Sequence, residues 1–126
     1  MKRTVRILSL ALMLAMIAFV FASCASMETY EKRLDDAGYD VDFYNASTIE
    51  LVNGVFESEG EDYRVISAIS AENKKNYVFI YEFGSSSEAK AFYEDESSDG
   101  YYDKVEIKGS MVIMGTEAAV DTALGK

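Results

Sequence analysis

Residues 76–83 read NYVFIYEF. Tyr77, Phe79, Tyr81 and Phe83 fall on one side of an extended chain, and Val78 and Ile80 on the other. Side chains alternate across a strand with a period of two, and a strand apolar on both sides is covered on both sides. The run therefore predicts a central strand, and the rest of the chain has to supply what flanks and covers it.

The flanking pieces read as follows. EDYRVISAIS, ahead of AENKKN, predicts the partner strand of a hairpin. YDVDF alternates Tyr39, Val41 and Phe43 with Asp40 and Asp42, a short strand. DKVEI and MVIMG flank KGS, a second hairpin turning at Gly109. Met27, Tyr30, Leu34 and Ala37 recur at helical spacing before Gly38. Ser47 and Glu50 form a capping-box pattern ahead of Leu51 and Val52, predicting a short helix that ends near Gly54. Ser85 and Glu88 form another, before an apolar stripe of Ala89, Phe92 and Tyr93. Thr116 is placed to cap a last helix carrying Ala119, Val120 and Leu124. The order is α-β-α-β-β-α-β-β-α. It predicts a single small α+β domain: a mainly antiparallel sheet of about five strands with helices packed on one face. Val65, Ile69, Phe79, Ile80 and Val105 are expected to be buried in the sheet, with Phe92 and Val120 packing helices onto it.

A different pattern precedes the domain. Lys2, Arg3 and Arg6 lead into an apolar run over residues 7–22, broken only by Ser9. A basic head, an apolar middle and small residues at the end are the marks of a secretory signal. The run is short of the roughly 20 residues a spanning helix needs. Phe21-Ala22-Ser23-Cys24 resembles the lipobox of bacterial lipoprotein precursors, and Cys24 is the only cysteine in the chain. The resemblance implies that Cys24 takes a diacylglycerol and that cleavage leaves it as the first mature residue. Residues 1–23 are then a signal peptide and 24–126 the mature domain. Palmitate-type acyl chains on Cys24 would anchor it to the extracytoplasmic face of a bacterial cell membrane. Two acyl chains hold where one comes and goes, and capping removes a thiol that would otherwise be free and reactive.

Loss of residues 1–23 leaves 103 residues, enough for one core without disulfides or metals. The whole chain carries a formal charge of −10, and the mature part −13, because three basic residues leave and no acid does. Such a domain repels nucleic acid and anionic headgroups and suits a basic partner or cations. AGYDV, the stretch from Phe83 to Lys90, and KGSMVIMGTEAAV are similar in pattern to small lipoproteins of unknown function from gut bacteria. That similarity implies no activity.

The absence of histidine removes the imidazole base, the usual zinc site and the serine–histidine pair. No glycine-rich phosphate loop is present. No catalytic residue, metal ligand or cofactor is assigned, and the chain is not read as an enzyme. Residues 95–106 match a twelve-residue calcium-loop spacing, with oxygens at positions one, three, five and nine from Asp95, Ser97, Asp99 and Asp103, Gly100 at six and Glu106 at twelve. A strand rather than a helix is expected after it, against that motif. Four of the nine tyrosines, Tyr39, Tyr63, Tyr77 and Tyr81, sit at predicted strand positions, where aromatics belong for packing. The reading is a membrane-tethered domain of unknown specific activity that binds a protein or plays a structural part. The alternative is a calcium-responsive module using an EF-hand-like loop at 95–106.

Overall fold

The computed structural model describes residues 26–126. Helix α1 (Met27–Asp36) buries Met27, Tyr30 and Leu34, one face at helical spacing. It stops at Gly38, whose φ of 87° lies where a side chain is strained. The Tyr39 amide then donates to the Leu34 carbonyl at 2.9 Å, a Schellman closure with both side chains buried. This reversal feeds strand β1 (Asp40–Phe43) back along the helix. There follow helix α2 (Ala46–Ser58), strands β2 (Val65–Asn73) and β3 (Asn76–Phe83), and helix α3 (Ser86–Asp99). Strands β4 (Lys104–Lys108) and β5 (Met111–Gly115) and helix α4 (Glu117–Ala123) complete the order. The element order matches the one read from the sequence, and the fold is α+β.

The five strands form one antiparallel sheet in the order β1-β2-β3-β5-β4. The strand that reads NYVFIYEF is its centre. Ile69, Val78, Ile80 and Ile113 point to a first face, where they meet Tyr30 and Leu34 of α1 and Val120 and Ala123 of α4. Ala68, Phe83, Val112 and Met114 point to the second face, where they meet Phe92 of α3 with Val52 and Phe56 of α2.

The helices thus lie on both faces, two on each, which corrects the expectation that they pack on one face only. The physical reason is the central strand's own pattern. Both of its sides are apolar, so one helical layer would have left the other in water. Of the residues expected to be buried, Val65, Ile69 and Ile80 are, while Phe79 and Val105 are only half-buried. Val105 lies on an edge strand, and Phe79 lies beyond the cover of the helices.

Two local details also differ from the sequence reading. Helix α2 is capped by Asn45, whose Oδ1 accepts from the Thr48 amide at 2.9 Å, and not by Ser47. It runs through Gly54, which faces solvent and obstructs nothing, to Ser58. Ser85 caps α3 as expected, its Oγ accepting from the Glu88 amide at 3.2 Å. Thr116 stands at the cap position of α4 but turns its hydroxyl to the Tyr77 backbone.

Candidate functional site

The alternation of β1 puts Asp40 and Asp42 on the second face. The pairing register then decides their neighbours. Asp40 stands opposite Glu72, which stands opposite Tyr77. Asp42 stands opposite Ser70, which stands opposite Phe79. Two rows of side chains cross three strands, acids at the edge and rings toward the centre. They line a cleft of about 180 Å³. Like charges directly opposite each other across an antiparallel pair are destabilising, so Asp40 and Glu72 stand together at a cost.

The ring side of the cleft is a continuous aromatic system. Tyr77 and Phe79 lie 5.8 Å apart, and Tyr102 lies 6.5 Å from the first and 6.2 Å from the second. Tyr101, 77% exposed, meets Tyr102 edge-on at 5.0 Å. Further in on the same face, Tyr81 touches Tyr44 at 6.0 Å and Phe92 at 5.7 Å. Phe92 connects to Phe56, Tyr63 and Phe83 in the core. Strand β3 carries Tyr77 and Phe79 of the outer cluster and Tyr81 and Phe83 of the inner one, so the outer rings stand on a backbone that is packed into the interior.

Backbone contacts hold Tyr77 from behind. Its amide donates to Thr116 Oγ1 at 3.1 Å, and its carbonyl accepts from the Thr116 amide at 2.9 Å. Close approach at this point requires Gly115, since a Cβ there would fall on the Tyr77 carbonyl oxygen.

Glu96, on α3, sits half-buried behind Tyr102. Burial raises its pKa above the ordinary carboxylate value, and Asp99, Asp95 and Glu59 raise it further. Tyr102 is pushed up to about 12, by burial first and then by Glu96. Tyr81 is raised by burial and by the neighbouring Tyr44. Tyr63, whose hydroxyl donates to Asp95 Oδ2 at 3.1 Å, is raised by burial and by that carboxylate. At neutral pH these hydroxyls keep their protons. Ring faces and carboxylates together attract cations, especially lysine and arginine side chains.

The residues of the calcium spacing are not brought together. Asp95 and Asp99 lie within α3, Gly100 is its left-handed C-cap, and Glu106 lies on β4. Glu106 alternates with Val105 and Ile107, which pack on the second face, so it points to the first, away from α3. Among the described residues no group of three or more acids converges as a metal ion would need. The four acids follow helix, turn and strand geometry in place of one loop, and the EF-hand-like reading has no site to rest on. Cys24 and the apolar run of residues 7–22 lie outside the described residues. Among the described residues no helix is long and apolar enough to cross a membrane.

Sequence reasoning singled out none of Asp40, Asp42, Glu72 and Glu96. The alternation in YDVDF placed both aspartates on one face, but nothing local says that a glutamate and two rings continue the same rows. Comparison with protein-family models, curated proteins and solved structures finds no match for this chain.

Proposed function

We propose that this chain is a bacterial lipoprotein, held at the extracytoplasmic face of the cell membrane by lipid on Cys24, whose domain binds a protein partner. The observation that supports the binding role is the acid-rimmed aromatic cleft on the part of the second face that the helices leave open. Exposed rings on a rigid base are the usual anchors of protein recognition, because they bring large contact area at little entropic cost. The rim of Asp40, Asp42 and Glu72 selects a partner presenting lysine or arginine. The net charge of the mature domain speeds the encounter with such a partner. The lipobox-like Phe21-Ala22-Ser23-Cys24 supports the anchoring.

Two measurements test this. Mass spectrometry of the membrane fraction should find Cys24 as a lipid-modified N-terminus, and any other mature N-terminus overturns the anchoring. A photo-crosslinking residue at position 101, beside the cleft, should trap a discrete protein adduct in cells. The adduct should be lost when Asp42→Asn and Glu72→Gln are added, and absent when the crosslinker sits at position 32 on α1. Equal adducts from both positions would show that the cleft is not the binding surface.

A further inference from the structure

We infer that one end of the sheet rests on the lipid surface, with Phe43 and Ile66 in the interface, and that the acidic cleft is presented at the opposite end, away from the membrane. This inference rests on the lipidation of Cys24 proposed above.

The tether sets the distance. Two residue steps separate Cys24 from Ser26, and each spans at most about 3.6 Å, so Ser26 stays within roughly 7 Å of the acylated cysteine. Ser26 is not at the end of a loose arm. Its carbonyl accepts from the Thr29 and Tyr30 amides, and Met27 is buried against the core shared by Ile69, Ile80, Met111 and Ile113. The domain therefore cannot swing freely. Whichever end of the sheet lies under the start of α1 is held against the bilayer.

The fold says which end that is. The Schellman closure at Gly38 makes β1 run back along α1. Ten helical residues rise about 15 Å. Four strand residues cover roughly 13 Å. The start of α1 thus overlies the end of the sheet where β1 finishes, at Phe43. The antiparallel register places the start of β2, the end of β3 and the start of β5 at that same end.

An independent observation falls at the same place. Two exposed large aliphatic or phenyl side chains lie on described strands, Phe43 at 51% and Ile66 at 57%. Phe43 is the last residue of β1, and Ile66 is the extra residue of the irregularity between Val65 and Ser67 at the start of β2. Neither belongs to either of the two core clusters. In water both are a liability, and at an acyl–headgroup boundary both are buried. Asp40, Glu72 and Tyr77 belong to the opposite end of the same strands. A domain of charge −13 would be repelled by anionic headgroups, and this orientation keeps Asp40 and Glu72 of the cleft at the far end of their strands. A second copy of the chain, or a protein, seated on Phe43 and Ile66 would have to share the few ångströms that the tether leaves.

The full chain, isolated in vesicles of bacterial lipid containing a carbene-generating acyl chain, provides the test. After photolysis, mass spectrometry maps the labelled peptides and reads the mass of the N-terminal peptide. Label should appear at Phe43 and Ile66 at least fivefold above the Tyr77–Phe79 peptide. In a Phe43→Ser, Ile66→Ser variant it should fall to that background with the melting temperature unchanged. Lipid on Cys24 with no excess label at Phe43 and Ile66 overturns this inference alone, as does a protein adduct at those residues. A Cys24 without lipid overturns the anchoring and this inference with it.

Discussion

Asn53 is buried in α2 and faces the first residue of β2. Its Nδ2 donates to the Val65 carbonyl at 2.9 Å, and its Oδ1 accepts from the Val65 amide at 2.7 Å. One side chain therefore satisfies both backbone groups of a buried residue where the sheet begins. Asn53→Leu would strand both, at about 1–3 kcal/mol for each buried group, so a loss of roughly 2–6 kcal/mol is expected. Chemical denaturation should show a lower midpoint with an unchanged slope. Glu96 works in the other direction. Its pKa in the fold is raised, so the native state holds the neutral form more readily than the unfolded chain does. Any stability it gives is present below the ordinary value of 4.5 and is lost as the pH rises through its folded pKa. Glu96→Gln should therefore raise the melting temperature at pH 7. The gain should be about 1–4 °C, the scale of a screened surface charge, and should vanish below the ordinary carboxyl pKa. The tyrosines report on the basic side. Tyr63, Tyr81 and Tyr102 are raised above 10, so their contribution persists to about that pH and is lost above it. An ultraviolet titration should show Tyr63, Tyr81 and Tyr102 ionising only above pH 10, together with alkaline unfolding.

At the level of helices and strands, Phe92 is the pivot of the second face. It is 2% exposed and meets Phe56, Tyr63, Tyr81 and Phe83 at ring separations of 5.0 to 5.7 Å. Phe92→Ala should cost about 3–5 kcal/mol, a large share of the typical 5–15 kcal/mol of a domain, and thermal melts will read it directly. The part played by Phe92 was legible because Ala89 and Phe92 recur at helical spacing behind a capping serine. The strands were legible for the same kind of reason, since a period of two needs only neighbours in the chain. Where the helices pack was not read from the spacing of any one of them. It follows from NYVFIYEF having two apolar sides, which a single helical layer could not have covered. The extent of α2 was misread because a glycine weakens a helix by only about 1 kcal/mol. Gly54 points outward, while Val52 and Phe56 are held against the sheet on the other side of the helix. The cleft was least legible of all. It exists through register, Asp40 beside Glu72 beside Tyr77, and register is a property of strands distant in sequence.

For the whole molecule, charge sets the expected behaviour. The acids of residues 95–106 are spread over a helix, a turn and the opposite face of the sheet. Millimolar calcium should therefore shift the melting temperature by no more than about a degree or two, by general screening of a strongly acidic domain. Magnesium at equal ionic strength should match it, and Glu106→Gln should change neither. A calcium-specific shift near 10 °C, abolished by that substitution, would restore the calcium-responsive reading.

The strand order also leaves β1 and β4 at the rims of the sheet, each with amides and carbonyls that no neighbouring strand takes up. Copies held at a membrane by the proposed anchor would meet far more often than the same number in solution, and open strand rims invite edge-to-edge pairing into fibres. Here the rims are short and charged: β1 is four residues with two aspartates, and β4 alternates Lys104, Glu106 and Lys108 with its apolar positions. Two β1 strands laid side by side would set carboxylate against carboxylate. Asp40 and Asp42 would thus oppose edge-to-edge pairing of copies, as well as lining the cleft. A double Asp40→Asn, Asp42→Asn variant should sediment as growing aggregates, while either single change leaves a monomer.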